Sequence, residues 1–462
     1  MLQDTNNVPT LKAIEEEIFR QLQNCFQAVL LKVLEDIDVW LMENRDHKRF
    51  AYKERQASTM DTMFGSITIK RRKYVDRETN ERVALLDRYL QFKGNESMSP
   101  FLAQQAVEWA VRGPSYRDAR DRLKQLLGYQ AMSHEQIRQK VLQIQAEACS
   151  QDNPSPKEVD VLFIEADGLN ASLQQSDKGS HEVKMGVVHE GWEKRHPKSK
   201  EYELINKSYA YTLGDGNTFW ETLSRQLDEQ YTITEHTHVV INGDGAPWIR
   251  AGVDYFQNAL YTYDRYHLKT WIKQALSNRS KQERQRVYEA ADAHDPSAML
   301  AAIAEAEKAE TDVEKQAEIA GLREFILENQ EAFRDYRERL KEKGVDTSGM
   351  RPMGSAESNM NLMSKRLKKN GYSWSLSGLG AMVNAMIHRL EGTLADVLRP
   401  SGTDGVSEEG TPKKIPSMAH FLRQKTQESV GALSGRLPVL EGRDQTKPFA
   451  LALRGLTGLS EL

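Results

Sequence analysis

The chain has 462 residues, a net charge of −4 and two cysteines, Cys25 and Cys149. That length allows several domains and a sizeable core, and the charge balance argues against a uniformly basic nucleic-acid coat while leaving local basic patches open. Two cysteines exclude a disulfide framework and a cysteine zinc site, no apolar run nears the about 18 residues of a membrane span, and MLQDTNNVPTLKAIEEE lacks a signal-peptide core, so a cytoplasmic protein is expected.

From Leu11 to Asn44 apolar residues recur at helical spacing (Ile14, Ile18, Phe19, Leu22, Phe26, Leu30, Val33, Leu34, Ile37), which predicts one or two amphipathic helices. Ser66 to Lys70 then alternates as a strand, and DRETNE reads as a turn before a second apolar run. Lys70, Arg71, Arg72 and Lys73 form a first basic cluster, either a solvated hairpin edge or a set of phosphate contacts. Residues 99–148 read as helical. Tyr116–Leu127 is one helix, Gly128 to Met132 a break, and Ser133 an N-cap that forms a capping box with Gln136 three residues on. Two short helices around a tight turn suit a helix-turn-helix, with His134, Gln136, Arg138 or Gln139 facing a major groove; plain helix packing is the alternative.

QDNPSPK, residues 151–157, is a polar linker and the clearest boundary in the first half. After it the texture changes to strand. VDVLFIEADG, HEVKMGVVHEGW and ELINKSYAYTLGDG read as an antiparallel meander. A helix with Phe219, Trp220, Leu223 and Leu227 follows, then the strand HVVINGDG, a short helix PWIRAGVDYF and a fifth strand ALYTYD. The order β-β-β-α-β-α-β is, by analogy, that of an RNase H-like sheet with its first and fourth strands side by side. From His267 to about Lys343 the chain is helical and charged, an insertion ahead of the loop GVDTSGMRPMG and the helix AESNMNLMSKRLKK. The fold class expected is α/β: an RNase H-like mixed five-stranded sheet with a helical insertion, preceded by a mainly helical DNA-binding region. The expected domains are 1–96, helical with a β-hairpin; 97–150, helix-turn-helix-like; 157–266 and 346–398, the two parts of a catalytic core; 267–345, the insertion; and 399–462, a linker and mobile tail.

Three acids stand out. Asp167 and Asp244 each close an apolar strand and precede glycine, and Glu357 lies at the start of a helix far downstream. Phosphodiester cleavage needs charge neutralised on both attacking and leaving oxygens, which two divalent ions held by carboxylates from separate elements achieve. Oxygen donors favour magnesium or manganese over zinc. Each acid alone is also a common turn residue. Glu165 is the local rival to Asp167, because two residues away on a strand points to the same face. Asp215, in LGDG, sits where it can start a helix. Lys365, Arg366, Lys368 and Lys369 follow Glu357 as a basic stripe, and Lys194, Arg195, Lys198 and Lys200 form another cluster, either solvated faces or DNA-backbone contacts.

The blocks FIEADG, INGDGAPWI, YDRYHLK and SAESNMNLMSKRLK resemble the DDE transposases of bacterial insertion sequences, closest to the ISLre-type family, which is related to the Mutator-like group. The resemblance runs from near Arg71 to about residue 395. It implies a catalytic and metal-binding triad of Asp167, Asp244 and Glu357, and two Mg²⁺ or Mn²⁺ ions per active site. It matches Asp264 and His267 to a (Cys/Asp)-x-x-His signature, and places Trp248 and Trp374 in flanking blocks as supporting residues. It implies DNA cleavage and strand transfer on double-stranded element ends and target, by a homodimer or larger homo-oligomer without a membrane partner. The alternatives are an RNase H-like nuclease without strand transfer and a non-catalytic DNA-binding protein of transposase descent.

Overall fold

A computed structural model describes residues 10–90, 92, 97–144, 156–174, 179–369 and 371–398. The expected tail 399–462, most of the 151–157 linker and Cys149 lie outside the described residues. The chain divides into two compact units, one reaching Lys140 and the other spanning Val141–Val397.

In the first unit the apolar periodicity of residues 11–44 resolves into one helix, α1 (Leu11–Asn44), opened by Thr10, whose hydroxyl accepts from the Ala13 N–H. Val33, Leu34, Ile37 and Leu41 are buried with Phe50, Ile67, Ile69 and Tyr74 of a long antiparallel hairpin. Its strands are β1 (Phe50–Thr62) and β2 (Gly65–Asp76), joined tightly where Thr62 pairs with Gly65. The sequence pattern reveals β2 but not β1. The middle of β1, YKERQA, is exposed on both faces, so it carries no alternation to read.

Burial corrects the basic cluster on β2. Of the four residues only Lys70 is exposed. Arg72 donates to the Asp38 carboxylate of α1 at 2.5 Å, Arg71 pairs with Asp87, and Lys73 lies 3.6 Å from the same Asp87. A buried guanidinium requires such a partner, so Arg71, Arg72 and Lys73 hold the hairpin to its neighbours and do not present a phosphate-binding edge.

Three helices close this part of the chain: α2 (Pro100–Arg112), α3 (Tyr116–Leu127) and α4 (His134–Leu142). Gly128 ends α3 at φ 78°, a conformation glycine adopts freely. The capping box forms in both directions: the Gln136 N–H donates to the Ser133 hydroxyl at 3.1 Å, and the Ser133 N–H to the Gln136 side-chain Oε1 at 2.8 Å. Gln136 is thereby folded back into the cap, while Arg138 and Gln139 both bond Glu135.

The second unit is a mixed α/β layer. Its five-stranded sheet comprises β3 (Val161–Ser172), β4 (Ser180–His189), β5 (Ser208–Thr212), β6 (His238–Gly243) and β7 (Ala259–Tyr263), in the order β7-β6-β3-β4-β5. β3, β4 and β5 form an antiparallel meander, and β6 runs parallel to both β3 and β7. The first and fourth strands of the sheet are therefore neighbours, as the element order suggests. Helix α5 (Gly216–Gln230), capped by Asp215, buries Phe219, Trp220, Leu223 and Leu227 against Leu162, Ile164 and Ala166.

The insertion supplies α6 (Arg265–Ala275), α7 (Lys281–Asp292), α8 (Pro296–Ala309), α9 (Val313–Glu328) and α10 (Tyr336–Glu342). Ile272, Val287, Met299, Ile303, Leu322 and Ile326 continue the same core outward from the sheet. Then come α11 (Ser355–Leu367), which carries Glu357, and α12 (Leu376–Glu391).

One sequence expectation changes here. β3 does not stop at Asp167; it pairs with β4 as far as Ser172. Gly168 is no turn glycine. A Cβ there would stand 2.3 Å from the Glu182 carboxylate on the adjacent strand, so glycine admits that side chain and lets the ladder continue.

Candidate metal centre

Strand register assembles the centre. Along β3, Leu162, Ile164 and Ala166 face the helical core, while Phe163, Glu165 and Asp167 face the other way. β6 is parallel to β3, with Asn242 opposite Glu165. Two residues further along both strands, Asp244 comes level with Asp167. β7 is parallel to β6, with Tyr263 opposite Gly243, so the next residue, Asp264, emerges at the same end of the sheet and caps α6. Its N–H partner is His267 in the first turn of α6. Asp167, Asp244 and His267 each offer a ligand atom, and these three atoms lie within 4.8 Å of one another.

The electrostatics match that geometry. Asp167 is 8% exposed. Burial pushes its carboxyl up to about 6; the charge of His267 and a hydrogen bond from the Gly168 N–H oppose this, and nearby Asp244 and Asp264 add to it. The Asp264 carboxylate, bonded to the His267 side chain, lifts the imidazole above its ordinary range. Burial would raise Asp264, but hydrogen bonds from His267 and Asn242 outweigh it and hold that carboxyl low. Nδ1 of His267 lies 3.0 Å from Asp264 Oδ1, and with Nδ1–H as donor Nε2 keeps its lone pair for a ligand. Asn242 donates to Asp264 at 3.1 Å and lies 3.4 Å from Glu165 Oε2.

A buried carboxylate, Asp167, and a half-buried one, Asp244, face one imidazole, a donor set that could hold a cation. The two carboxylates suit magnesium or manganese, and of these two manganese better tolerates the imidazole nitrogen. The set is not oxygen-only, because His267 contributes a nitrogen. Protons compete for these ligands, which sets a pH dependence. A carboxyl raised to about 6 and a raised imidazole must both lose protons to ligate, so Mn²⁺ affinity is expected to climb as pH rises through 6 and beyond, by about tenfold per pH unit for each proton displaced. In the metal-free protein the sign for stability is opposite: a carboxyl whose folded pKa is raised destabilises the fold progressively from about pH 4 to about 6. Mn²⁺ titration calorimetry and melting curves across pH 5–8 measure both.

The other expected site residues divide clearly. Glu357 lies in the first turn of α11, its Oε1 accepting from Asn361 at 2.8 Å, and it is not a member of the three-residue cluster. Glu165 is 1% exposed and is no metal ligand either, since its two oxygens receive the amino end of α11. Trp248 packs edge-on to Phe219, and its carbonyl accepts from Trp220 Nε1 at 2.6 Å. Trp374 is buried; its Nε1 donates to the Leu367 carbonyl at 2.9 Å and its backbone N–H to the Ser172 carbonyl at 2.9 Å.

On the basic stripe, Lys365, Lys368 and Lys369 are exposed, but Arg366 is buried, its guanidinium 5.2 Å and 5.1 Å from the Tyr372 and Trp374 ring centres. Arg366 thus packs the helix end, and its place in the DNA-facing stripe is corrected accordingly. Lys194, Arg195, Lys198 and Lys200 are all exposed around a small ribbon formed by Trp192–Lys194 and Tyr202–Leu204, with Arg195 paired to Glu201. Sequence reading overlooked Asn242. The signal was a lone amide two residues before Asp244 in an apolar strand, on the same face.

A profile of the uncharacterised protein family UPF0236 matches residues 4–399. The chain belongs to this family. It is 23% identical over 439 residues to a UPF0236 protein of Caldanaerobacter subterraneus subsp. tengcongensis whose single name joins eleven locus designations, covering 94% of this chain and 89% of that protein. It is 26% identical over 393 residues to the UPF0236 protein in the vanSb 3′ region of Streptococcus gallolyticus, covering 83% of each. Among the described residues no helix is long and apolar enough to cross a membrane.

Proposed function

We propose that this chain is a metal-dependent transposase of the DDE type, built on an RNase H-like core. The observation that carries the reading is the register that brings Asp167 and Asp244 level on parallel neighbouring strands, with His267 completing a cation-sized cluster. The strand order β7-β6-β3-β4-β5 supports the RNase H-like assignment. A relative whose one name spans eleven loci of a single bacterium fits an element copied within a genome.

Asp167 and Asp244 hold divalent ions, Mg²⁺ or Mn²⁺, two per site, with His267 as the nitrogen ligand of one and Glu357 completing the other. Such ions, when bound, neutralise the phosphodiester and acidify a water for attack on it. Asp264 holds His267 in its ligating tautomer, and burial of Asp167 strengthens its attraction for a cation by keeping bulk water away. The exposed Lys365, Lys368 and Lys369 on α11 and Lys194, Arg195, Lys198 and Lys200 near β4 supply positive charge along a DNA backbone. The chemistry is hydrolysis at an element end, followed by in-line attack of the freed 3′-hydroxyl on target DNA. Helix α4 and its neighbours recognise the ends, and a homodimer or larger assembly pairs them.

The test is a cleavage and joining assay. Purified protein is mixed with labelled duplexes carrying the DNA that flanks its gene, with Mg²⁺ or Mn²⁺ and a plasmid target. Nicks at the element boundaries and covalent joining to the plasmid are expected. Cleavage without joining would reassign the chain as a nuclease, and binding without cleavage in either metal as a DNA-binding protein.

A further inference from the structure

Glu165 is buried on the strand that carries Asp167, yet it belongs to no metal cluster and takes part in no step above. At least five donors converge on its two oxygens. The Gly354 N–H and Ser355 N–H reach Oε2 at 2.8 and 2.7 Å, the Ser355 hydroxyl reaches Oε1 at 2.5 Å, and His189 Nε2 and Asn242 Nδ2 approach at 3.3 and 3.4 Å. His189 fits as a donor because a carboxylate can only accept from its Nε2, and with the proton there its Nδ1 can accept from the Gly191 N–H. Gly354 is the N-cap and Ser355 the first residue of α11, the helix whose third residue is Glu357. The N-cap of that helix is Gly354, which has no side chain to cap it, so a carboxylate from β3 takes the capping role across 189 residues of sequence. The far end of α11 is tied to the same strand. Trp374 Nε1 holds the Leu367 carbonyl, and the Trp374 backbone bridges Ser172 and Leu173 at the end of β3.

We propose that Glu165 is the positioning residue of the site: its carboxylate caps and docks α11 on β3, and so fixes where Glu357 stands relative to Asp167. This rests on the transposase reading for what Glu357 does, though not for the docking itself. A carboxylate suits the site because the five groups named above all act as donors. An amide would turn its own NH₂ against one of them, and aspartate would fall a methylene short.

The experiment compares wild type, Glu165→Gln, Ser355→Ala and Glu357→Gln, and the double variant Glu165→Gln/Glu357→Gln. Hydrogen exchange is read over residues 350–358 and, as an internal control, over 161–172. Glu165→Gln is expected to accelerate exchange at the start of α11 and leave the sheet protected, with Ser355→Ala giving a smaller change in the same peptides. In the cleavage assay Glu165→Gln should lower kcat by about 10–100-fold, the scale for loss of a supporting group around a metal site. KM for DNA and Mn²⁺ binding at the Asp167–Asp244–His267 cluster should be unchanged, because those three residues remain in place, while the ion that Glu357 completes should be held less tightly. The double variant should be no worse than Glu357→Gln alone, since both act through one group.

Unchanged protection at 350–358 in both single variants would overturn the docking role. Additive losses in the double variant, or weakened Mn²⁺ binding at the Asp167–Asp244–His267 cluster, would overturn the positioning role in favour of a general structural one. If Glu165→Gln does not fold, Ser355→Ala decides by the same peptides. If wild type cleaves no DNA, the function reading fails while the exchange data still judge the docking.

Discussion

Asp167→Asn and Asp244→Asn are each expected to reduce DNA cleavage by about 10²–10³-fold or more, the scale of removing one group that stabilises transition-state charge. Each substitution keeps the shape of the side chain and removes the charge that offsets a cation. Asp167→Asn removes a buried acid whose burial already holds its carboxyl near 6, so the metal-free protein should be as stable as wild type at pH 7 or more stable. That combination, lost activity with retained or increased stability, separates a functional acid from a structural one. Asp264→Asn should behave differently. It weakens the hold on His267, which bonds that carboxylate through both its backbone N–H and Nδ1. A partial loss of Mn²⁺ affinity, about 10–100-fold, is expected by titration.

Trp220→Ala carries the largest expected cost in stability. Trp220 is fully buried, sits 5.0 Å from the Phe219 ring, and donates to the Trp248 carbonyl at 2.6 Å. It also fills the space over Gly252, where a Cβ would stand 2.2 Å from its ring. Truncation leaves a cavity between α5 and the segment that follows Asp244, and strips a carbonyl of its partner. The destabilisation expected is about 3–5 kcal/mol, measured by denaturant unfolding. The Trp248 segment leads directly out of the metal centre, so Mn²⁺ affinity should fall with it. Trp220→Phe, which keeps most of the volume, should recover much of the stability.

The legible part of the molecule was the part governed by short-range pattern. Apolar runs ending in acids located β3 and β6, the spacing of Phe219, Trp220, Leu223 and Leu227 located α5, and the Ser133–Gln136 pair located the start of α4. Neighbouring of the first and fourth strands followed from element order. What the pattern hid was partnership. β1 is polar on both faces and gave no periodicity. Arg71, Arg72 and Arg366 looked like surface charge in the sequence, because the acids and rings that bury them, Asp87, Asp38, Tyr372 and Trp374, lie elsewhere along the chain. Glu165 and Asp167 shared a strand face and could not be told apart by alternation alone. They separated only when the start of α11 was seen on one and the Asp244–His267 pair on the other.

Asp167, Asp244 and His267 are proposed to form a divalent-cation centre, and the direct test of that proposal is crystallographic. Crystals of the protein are grown with Mn²⁺ above pH 7, and anomalous differences are measured at the manganese edge for wild type and Asp244→Asn. An anomalous peak at coordination distance from the carboxylates of Asp167 and Asp244 and from Nε2 of His267, absent in Asp244→Asn, is the predicted result. Manganese bound elsewhere while these three side chains stay unliganded, or a peak unchanged by Asp244→Asn, would contradict it.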